Sequence, residues 1–196
     1  MTGPQPHQGA GGKLAVRDQL LTARRRRPLA EVGAAARDLA EVVLAVPEVR
    51  RAATVACYVS AGTEPGSTLL LDRLRAAGKR VIVPVLLPDD DLDWAAYDGD
   101  LVPARRGLLE PVGPALGVAA VATADAVLVP GLAAGADGTR LGRGGGSYDR
   151  ALGRVPVGTF TCVLLYDDEL LPVVPTEPHD RPVTAAATPT GLTRFR

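Results

Sequence analysis

A chain of 196 residues, 46% of them hydrophobic, is long enough for one substantial core and short for two domains of ordinary size. Its 22 basic residues balance its 22 acidic ones. There is thus no net basic field of the kind used by proteins that coat nucleic acid or anionic membrane, and neither partner is expected.

The first dozen residues, "MTGPQPHQGAGG", hold no apolar segment of signal-peptide length and read as a disordered leader, 1–12, ahead of a single domain, 13–196. No later stretch approaches the apolar length of a bilayer span. From Lys13 the pattern turns helical through "KLAVRDQLLTARRRR", with Leu14, Leu20 and Leu21 near one side, until Pro28 interrupts it. The arginine run 24–27 reads as a solvated face. A second helix, "LAEVGAAARDLAEVVLAV", repeats Val32, Ala36, Leu39 and Val43 at helical spacing and is stopped by Pro47.

The period then changes. "ATVACYV" and "RVIVPV" are short apolar runs rich in β-branched residues, and "STLLLDRLRAAGKR" between them reads as a helix closed by Gly78. The next region is polar and broken by proline, with a short strand expected near Trp94 and loop elsewhere. "DAVLVPG" is a further buried strand, a short helix is expected over 148–152, and "VGTFTCVLLY" and "PVTAAAT" supply later strands. Cys57 and Cys162 fall inside apolar runs and look like small buried strand residues, which suits a reducing cytoplasm. Helices alternating with strands predict an α/β fold, a three-layer α/β/α sandwich around a largely parallel, Rossmann-like sheet. Ligands in such folds bind beyond the carboxyl ends of the strands, where the loops 59–64 and 131–148 gather.

The stretch "RLGRGGGSYDR", 140–150, carries the strongest chemical signal. Clustered glycines let several backbone N–H groups approach one anion at the start of a helix. Arg140 and Arg143 add forked donors suited to phosphate oxygens. A flexible linker would alternate glycine with serine and lack these flanking groups. Neither a P-loop nor a dinucleotide fingerprint fits, since no Gly-Lys-Ser/Thr follows and Ser147 stands where the latter needs glycine.

Extended on both sides, the stretch becomes "VLVPGLAAGADGTRLGRGGGSYDRAL" and closely resembles the signature of the 5-formyltetrahydrofolate cyclo-ligases, or methenyltetrahydrofolate synthetases. "KLAVR", "YVSAGTEPGS", "GKRVIVPV", "GLLEP" and "PTEPHD" match further family elements in order, so the resemblance runs nearly the whole chain from Lys13. It implies an ATP- and magnesium-dependent ring closure of 5-formyltetrahydrofolate to 5,10-methenyltetrahydrofolate, with release of ADP and phosphate. The γ-phosphoryl group would be passed to the formyl oxygen, turning a poor leaving group into a good one. A small-molecule enzyme is thereby implied; a monomer is expected, or a weak dimer.

The resemblance also assigns residues. Lys13 and Arg17, one helical turn apart, would reach one triphosphate. Arg140, Leu141, Gly142, Arg143, Gly144, Gly145, Gly146, Ser147 and Tyr148 would wrap the ATP phosphates. Arg143 is the cation expected nearest the transferring group, with Lys13 as the second catalytic cation. Val59, Glu64, Arg143 and the run Gly144, Gly145, Gly146 and Ser147 would border the folate. Asp149 and Asp180 would be the magnesium ligands, consistent with the oxygen preference of that ion. Taken alone, Asp149 reads equally as a helix-starting cap and Asp180 as a turn residue. His179 is expected to support the site without touching ligand, and Tyr58 to be a strand residue with a wet hydroxyl.

Three positions depart from the family pattern. Ser147 stands where a tyrosine is common, Ala134 and Gly135 stand where Phe-Asp is common, and Ser67 replaces a threonine. The first two sites are expected to border the folate, so loss of aromatic surface there should weaken its binding. Two rival readings stay open at this point: a sugar-phosphate isomerase or coenzyme A transferase-like enzyme of similar fold, and a nucleotide-binding protein that has lost folate catalysis.

Overall fold

The structure, a computed structural model, describes residues 10–66 and 68–195. Residues 1–9 of the expected leader and Ser67 lie outside the described residues, and residues 10–12 form the first turn of α1 (Ala10–Arg25). Arg24 and Arg25 occupy the last turn of α1, where cations complement the helix dipole. The arginine run does not behave as one solvated face: Arg25 and Arg26 are exposed, but Arg24 is buried. Helix α2 (Leu29–Ala45) buries Ala35, Ala36, Leu39, Ala40 and Val43, the stripe that the spacing predicts with Val32 only half-buried. Pro47 both ends that helix and opens a short one, α3 (Pro47–Arg51), because the first helical position needs no N–H.

Strand β1 (Thr54–Cys57), helix α4 (Thr68–Ala76) and strand β2 (Arg80–Leu86) form the expected β-α-β unit. Gly78 turns the chain between the last two with a φ of 78°, which a residue with a Cβ adopts poorly. Strand β3 (Leu92–Ala96) lies at Trp94, as expected. The region beyond is more ordered than the sequence suggests. Strands β4 (Leu101–Pro103) and β5 (Leu109–Pro111) pair as an antiparallel hairpin, each too short to show a period of two. There follow β6 (Ala126–Pro130), β7 (Ala133–Gly135), β8 (Arg140–Leu141), helix α5 (Ser147–Leu152) and β9 (Phe160–Leu164). The chain closes with β10 (Leu170–Leu171), β11 (Ala185–Thr188) and β12 (Gly191–Arg194).

The main sheet has seven strands in the order β12-β11-β9-β6-β1-β2-β3. The five inner strands are parallel, and β3 and β12 pair antiparallel at its two edges. One face is covered by α2, α3 and α4, whose Leu39, Leu70, Leu71 and Leu74 are fully buried and contribute about 1.5–3 kcal/mol each. The other is covered by α5 and the 3-10 turn Val118–Thr123, packed on Trp94, Val127 and Val163. This is the expected three-layer α/β fold. A small second sheet, β10-β7-β8, lies under α1, with Leu132 and Leu141 against Val16, Leu20 and Leu21. Among the described residues no helix is long and apolar enough to cross a membrane. Cys57 and Cys162 are free and buried in β1 and β9.

From β1 the chain moves one way across the sheet to β2, whereas β6 and β9 lie on the opposite side of β1. The order therefore reverses between β1 and β6, and a crevice must open beyond their carboxyl ends because the two following loops diverge.

Candidate functional site

That crevice is a cleft of about 1050 Å³. The loop after β1 brings Val59 and Glu64 to it, the ends of β2 and β6 bring Pro84, Leu86 and Pro130, and α1 brings Lys13 and Arg17. The whole segment 140–150 follows from β8 into α5 along its wall, and Asp180 comes from the loop before β11. The residues expected to hold ATP, folate and magnesium all line this one cleft, Ala134 and Gly135 excepted, although Lys13 and Asp180 are separated by 167 positions.

The glycines allow close approach. A Cβ on Gly142 would lie 2.9 Å from the Arg140 guanidinium, closer than ordinary contact. Gly144 and Gly146 also adopt positive φ values of 106° and 69°. Gly146 caps α5, so Ser147, Tyr148 and Asp149 form its first turn. Arg17 donates from Nε to the Gly142 carbonyl at 2.9 Å, which ties α1 to the glycine segment.

The two arginines of the motif are unlike. Arg140 is 3% exposed and donates to the Pro130 carbonyl at 3.1 Å and to Asp149 Oδ1 at 3.0 Å, so it shapes the wall from behind. Arg143 projects into the cleft with its side chain 47% exposed, and its Nε sits 3.2 Å from Glu64 Oε1. Glu64 is nearly buried and also accepts from the Ala61 N–H at 2.9 Å. Burial pushes its carboxyl above the usual carboxylate range, against the opposing pull of the Ala61 N–H, Arg143 and Arg24. A group so placed can hold either a proton or a hydrogen-bond donor of a ligand.

At the far end, Lys13 Nζ donates to Glu177 Oε2 at 2.8 Å and to Asp180 Oδ2 at 2.6 Å. Burial acts to raise the Asp180 carboxyl, but Lys13 and the Glu177 N–H outweigh it and the net shift is downward. Glu177, His179 and Asp180 each bring a ligand atom within 4.8 Å of the others. Asp149 Oδ1 accepts from Arg140 at 3.0 Å and, at 3.1 Å, from the N–H of Arg181, the residue after Asp180. The carboxylates here offer the oxygen donors that a hard divalent cation takes. Glu177 was invisible to sequence reasoning: it falls at a variable position of "PTEPHD", and only its contact with Lys13 marks it.

Two expectations are corrected. Ala134 and Gly135 do not border the cleft; they sit in β7, where Ala134 is fully buried beside Val129, Val163 and Leu170. The small side chains there serve packing between the two sheets. Tyr58 has no wet hydroxyl: it is buried and donates to the Pro65 carbonyl. Ser147, by contrast, does line the cleft.

The arrangement defines an α/β protein with an arginine-bearing glycine segment and a carboxylate facing each other at a topological switch point. The sequence profile of the 5-formyltetrahydrofolate cyclo-ligase family matches residues 10–189. The 5-formyltetrahydrofolate cyclo-ligase of Mycolicibacterium smegmatis is 44% identical over 142 residues, covering 69% of this chain and 73% of that protein. The protein of the same name from Escherichia coli is 34% identical over 160 residues, covering 76% and 85%. The solution structure of Aquifex aeolicus 5,10-methenyltetrahydrofolate synthetase shares the fold, with a TM-score of 0.80, 24% identity and coverage of 94% and 93%. The chain therefore belongs to the 5-formyltetrahydrofolate cyclo-ligase family.

Proposed function

We propose that this chain is a cyclo-ligase that converts 5-formyltetrahydrofolate to 5,10-methenyltetrahydrofolate at the expense of ATP, releasing ADP and phosphate. The observation that carries the reading is the convergence of Lys13, Arg17 and Arg143 with Glu64 on a single cleft. The reaction asks for cations to hold a polyphosphate and a carboxylate to hold the N–H groups of a pterin, and the juxtaposition of such groups in one cavity supports the reading.

In this reading Lys13, Arg17 and the N–H groups of the segment 142–148 grip the triphosphate, and Arg143 faces the transferring phosphoryl group. Phosphoryl transfer asks a protein mainly for positioning and positive charge. The γ-phosphoryl passes to the formyl oxygen as ADP leaves. The neighbouring folate nitrogen then attacks the formyl carbon, loses its proton, and phosphate departs with the former formyl oxygen. Glu64 orients the pterin, and Val59, Pro84 and Leu86 give the ring an apolar wall that excludes water. Asp180 and Asp149 would hold magnesium, with Glu177 within reach of the same position. The ion would neutralise charge on the phosphates. The substrate is thus a small molecule rather than nucleic acid or membrane. We further propose that the protein acts as a monomer in the cytoplasm, which suits its two free, buried cysteines.

Protein mixed with ATP, magnesium and 5-formyltetrahydrofolate should generate the near-ultraviolet absorbance of the methenyl product, and omission of ATP should abolish it. A signal no greater than that of a boiled sample rejects the reading.

A further inference from the structure

Behind the cleft, the Arg24 side chain is fully buried near the end of α1. Its Nε and Nη2 donate to the two carboxylate oxygens of Glu169 at 2.6 and 2.7 Å, and Nη2 also donates to the Gly131 carbonyl at 2.6 Å. Gly131 follows β6 and lies on the cleft wall. Glu169 Oε2 in turn accepts from the Tyr166 N–H at 2.9 Å. The Tyr166 ring lies 4.1 Å under the Arg27 guanidinium, and its hydroxyl donates at 3.3 Å to the carbonyl of Thr63, the residue before Glu64. One buried ion pair thus joins α1, the turn after β6 and the loop after β1.

Such a pair is a poor way to gain stability, because the cost of desolvating two charges roughly cancels their attraction and an apolar pair would serve as well. Its distinctive property is direction. The bidentate fork fixes both the rotation and the axial position of the helix that carries it. On α1, Lys13, Arg17 and Arg24 recur at intervals of four and seven and so share one face. Lys13 lies about 16 Å along the axis from Arg24, and a slip of one turn would carry it about 5.4 Å, beyond any hydrogen bond it now makes.

We propose that the Arg24–Glu169 pair is a positioning device: it sets the register of α1, and so couples the nucleotide-gripping Lys13 and Arg17 to the folate-facing loop at Thr63 and Glu64. The inference rests on the ATP-dependent folate reaction proposed above. The variant Arg24→Met/Glu169→Gln removes both charges while keeping the volume and an acceptor for the Tyr166 N–H. It should unfold cooperatively within about 4 °C of the natural chain. Its KM values for ATP and for the folate should both rise about tenfold while kcat stays within about threefold. Arg24→Lys, which keeps the charge but loses the fork, should raise the same two KM values, and it decides the matter if the double variant does not fold. A folded variant with both KM values unchanged overturns the coupling, as does a loss of stability with unchanged KM, which marks a purely structural pair. The natural chain is assayed beside them: inactivity there removes the underlying reading and this one with it, whereas an active natural chain with unaltered variants removes the coupling alone.

Discussion

Arg143 and Glu64 face each other across the cleft, Nε to Oε1 at 3.2 Å, so that the segment proposed to take phosphates and the loop proposed to take the pterin already touch. In the proposed reaction each exchanges this partner for a ligand group. Because Arg143 is half exposed, the pair contributes little to folding.

The first prediction follows from that asymmetry. Arg143→Ala should lower kcat on the order of 1000-fold, the effect of removing a cation from a transferring phosphoryl group. Unfolding free energy should change by less than about 0.5 kcal/mol. Initial rates and urea unfolding on the same preparation check both, and a comparable loss in each would make Arg143 structural.

The Lys13 cluster predicts a pH dependence. Lys13 lowers the Glu177 carboxyl, and it helps to lower that of Asp180 against the opposing effect of burial. In the folded chain these carboxylates therefore keep their charge to lower pH than in the unfolded chain. Their stabilising contribution is complete above the ordinary carboxylate range and is lost as pH falls through the folded values. Lys13→Met should thus flatten the fall in stability between about pH 5 and pH 3, where ordinary carboxylates titrate. Denaturant midpoints measured across that range test it; parallel profiles for the two chains would refute the assignment.

Asp180→Asn should raise the magnesium concentration needed for half-maximal turnover, because the acceptor between Lys13 and the rest of the acidic group loses its charge. An unchanged metal titration removes Asp180 from the ligands.

Gly144→Ala places a Cβ at a φ of 106° and 3.5 Å from the Arg17 guanidinium. Backbone strain should cost about 1–2 kcal/mol. Distortion of the segment should weaken ATP binding, as read by calorimetry; unaltered affinity would show that the segment does not form a cradle.

The departures at 147 and 134 should respond in opposite ways. Ser147→Tyr adds aromatic surface on the cleft wall and should lower KM for the folate about tenfold. Ala134→Phe overfills a closed core beneath β7, costing about 1–3 kcal/mol, and should leave that KM unimproved. A folate KM that improves only in the second variant would reverse the placement of both.

The features legible in the sequence were the local ones. Apolar period and proline position fixed α2, the β-α-β unit around α4 and the parallel inner sheet, because burial repeats along a strand or helix within a few residues. The run of glycines and arginines at 140–146 declared a phosphate-suited backbone for the same reason: the chemistry lies in contiguous residues. Strands as short as β4, β5 and β8 escape such reading, since two or three residues hold no period.

Tertiary structure alone decided what depends on distant partners. It buried Arg24 from an exposed-looking run against Glu169, 145 positions away, and made Glu177 a partner of Lys13 across 164. It also withdrew Ala134 from the cleft and set Arg143 against Glu64. The sequence thus specified the glycine-arginine segment and where the longer strands would run, because those depend on neighbours along the chain. Which charges would be buried, paired or left facing the cleft depended on how the sheet, α1 and the loops meet, and side-chain contacts at such separations leave no local pattern.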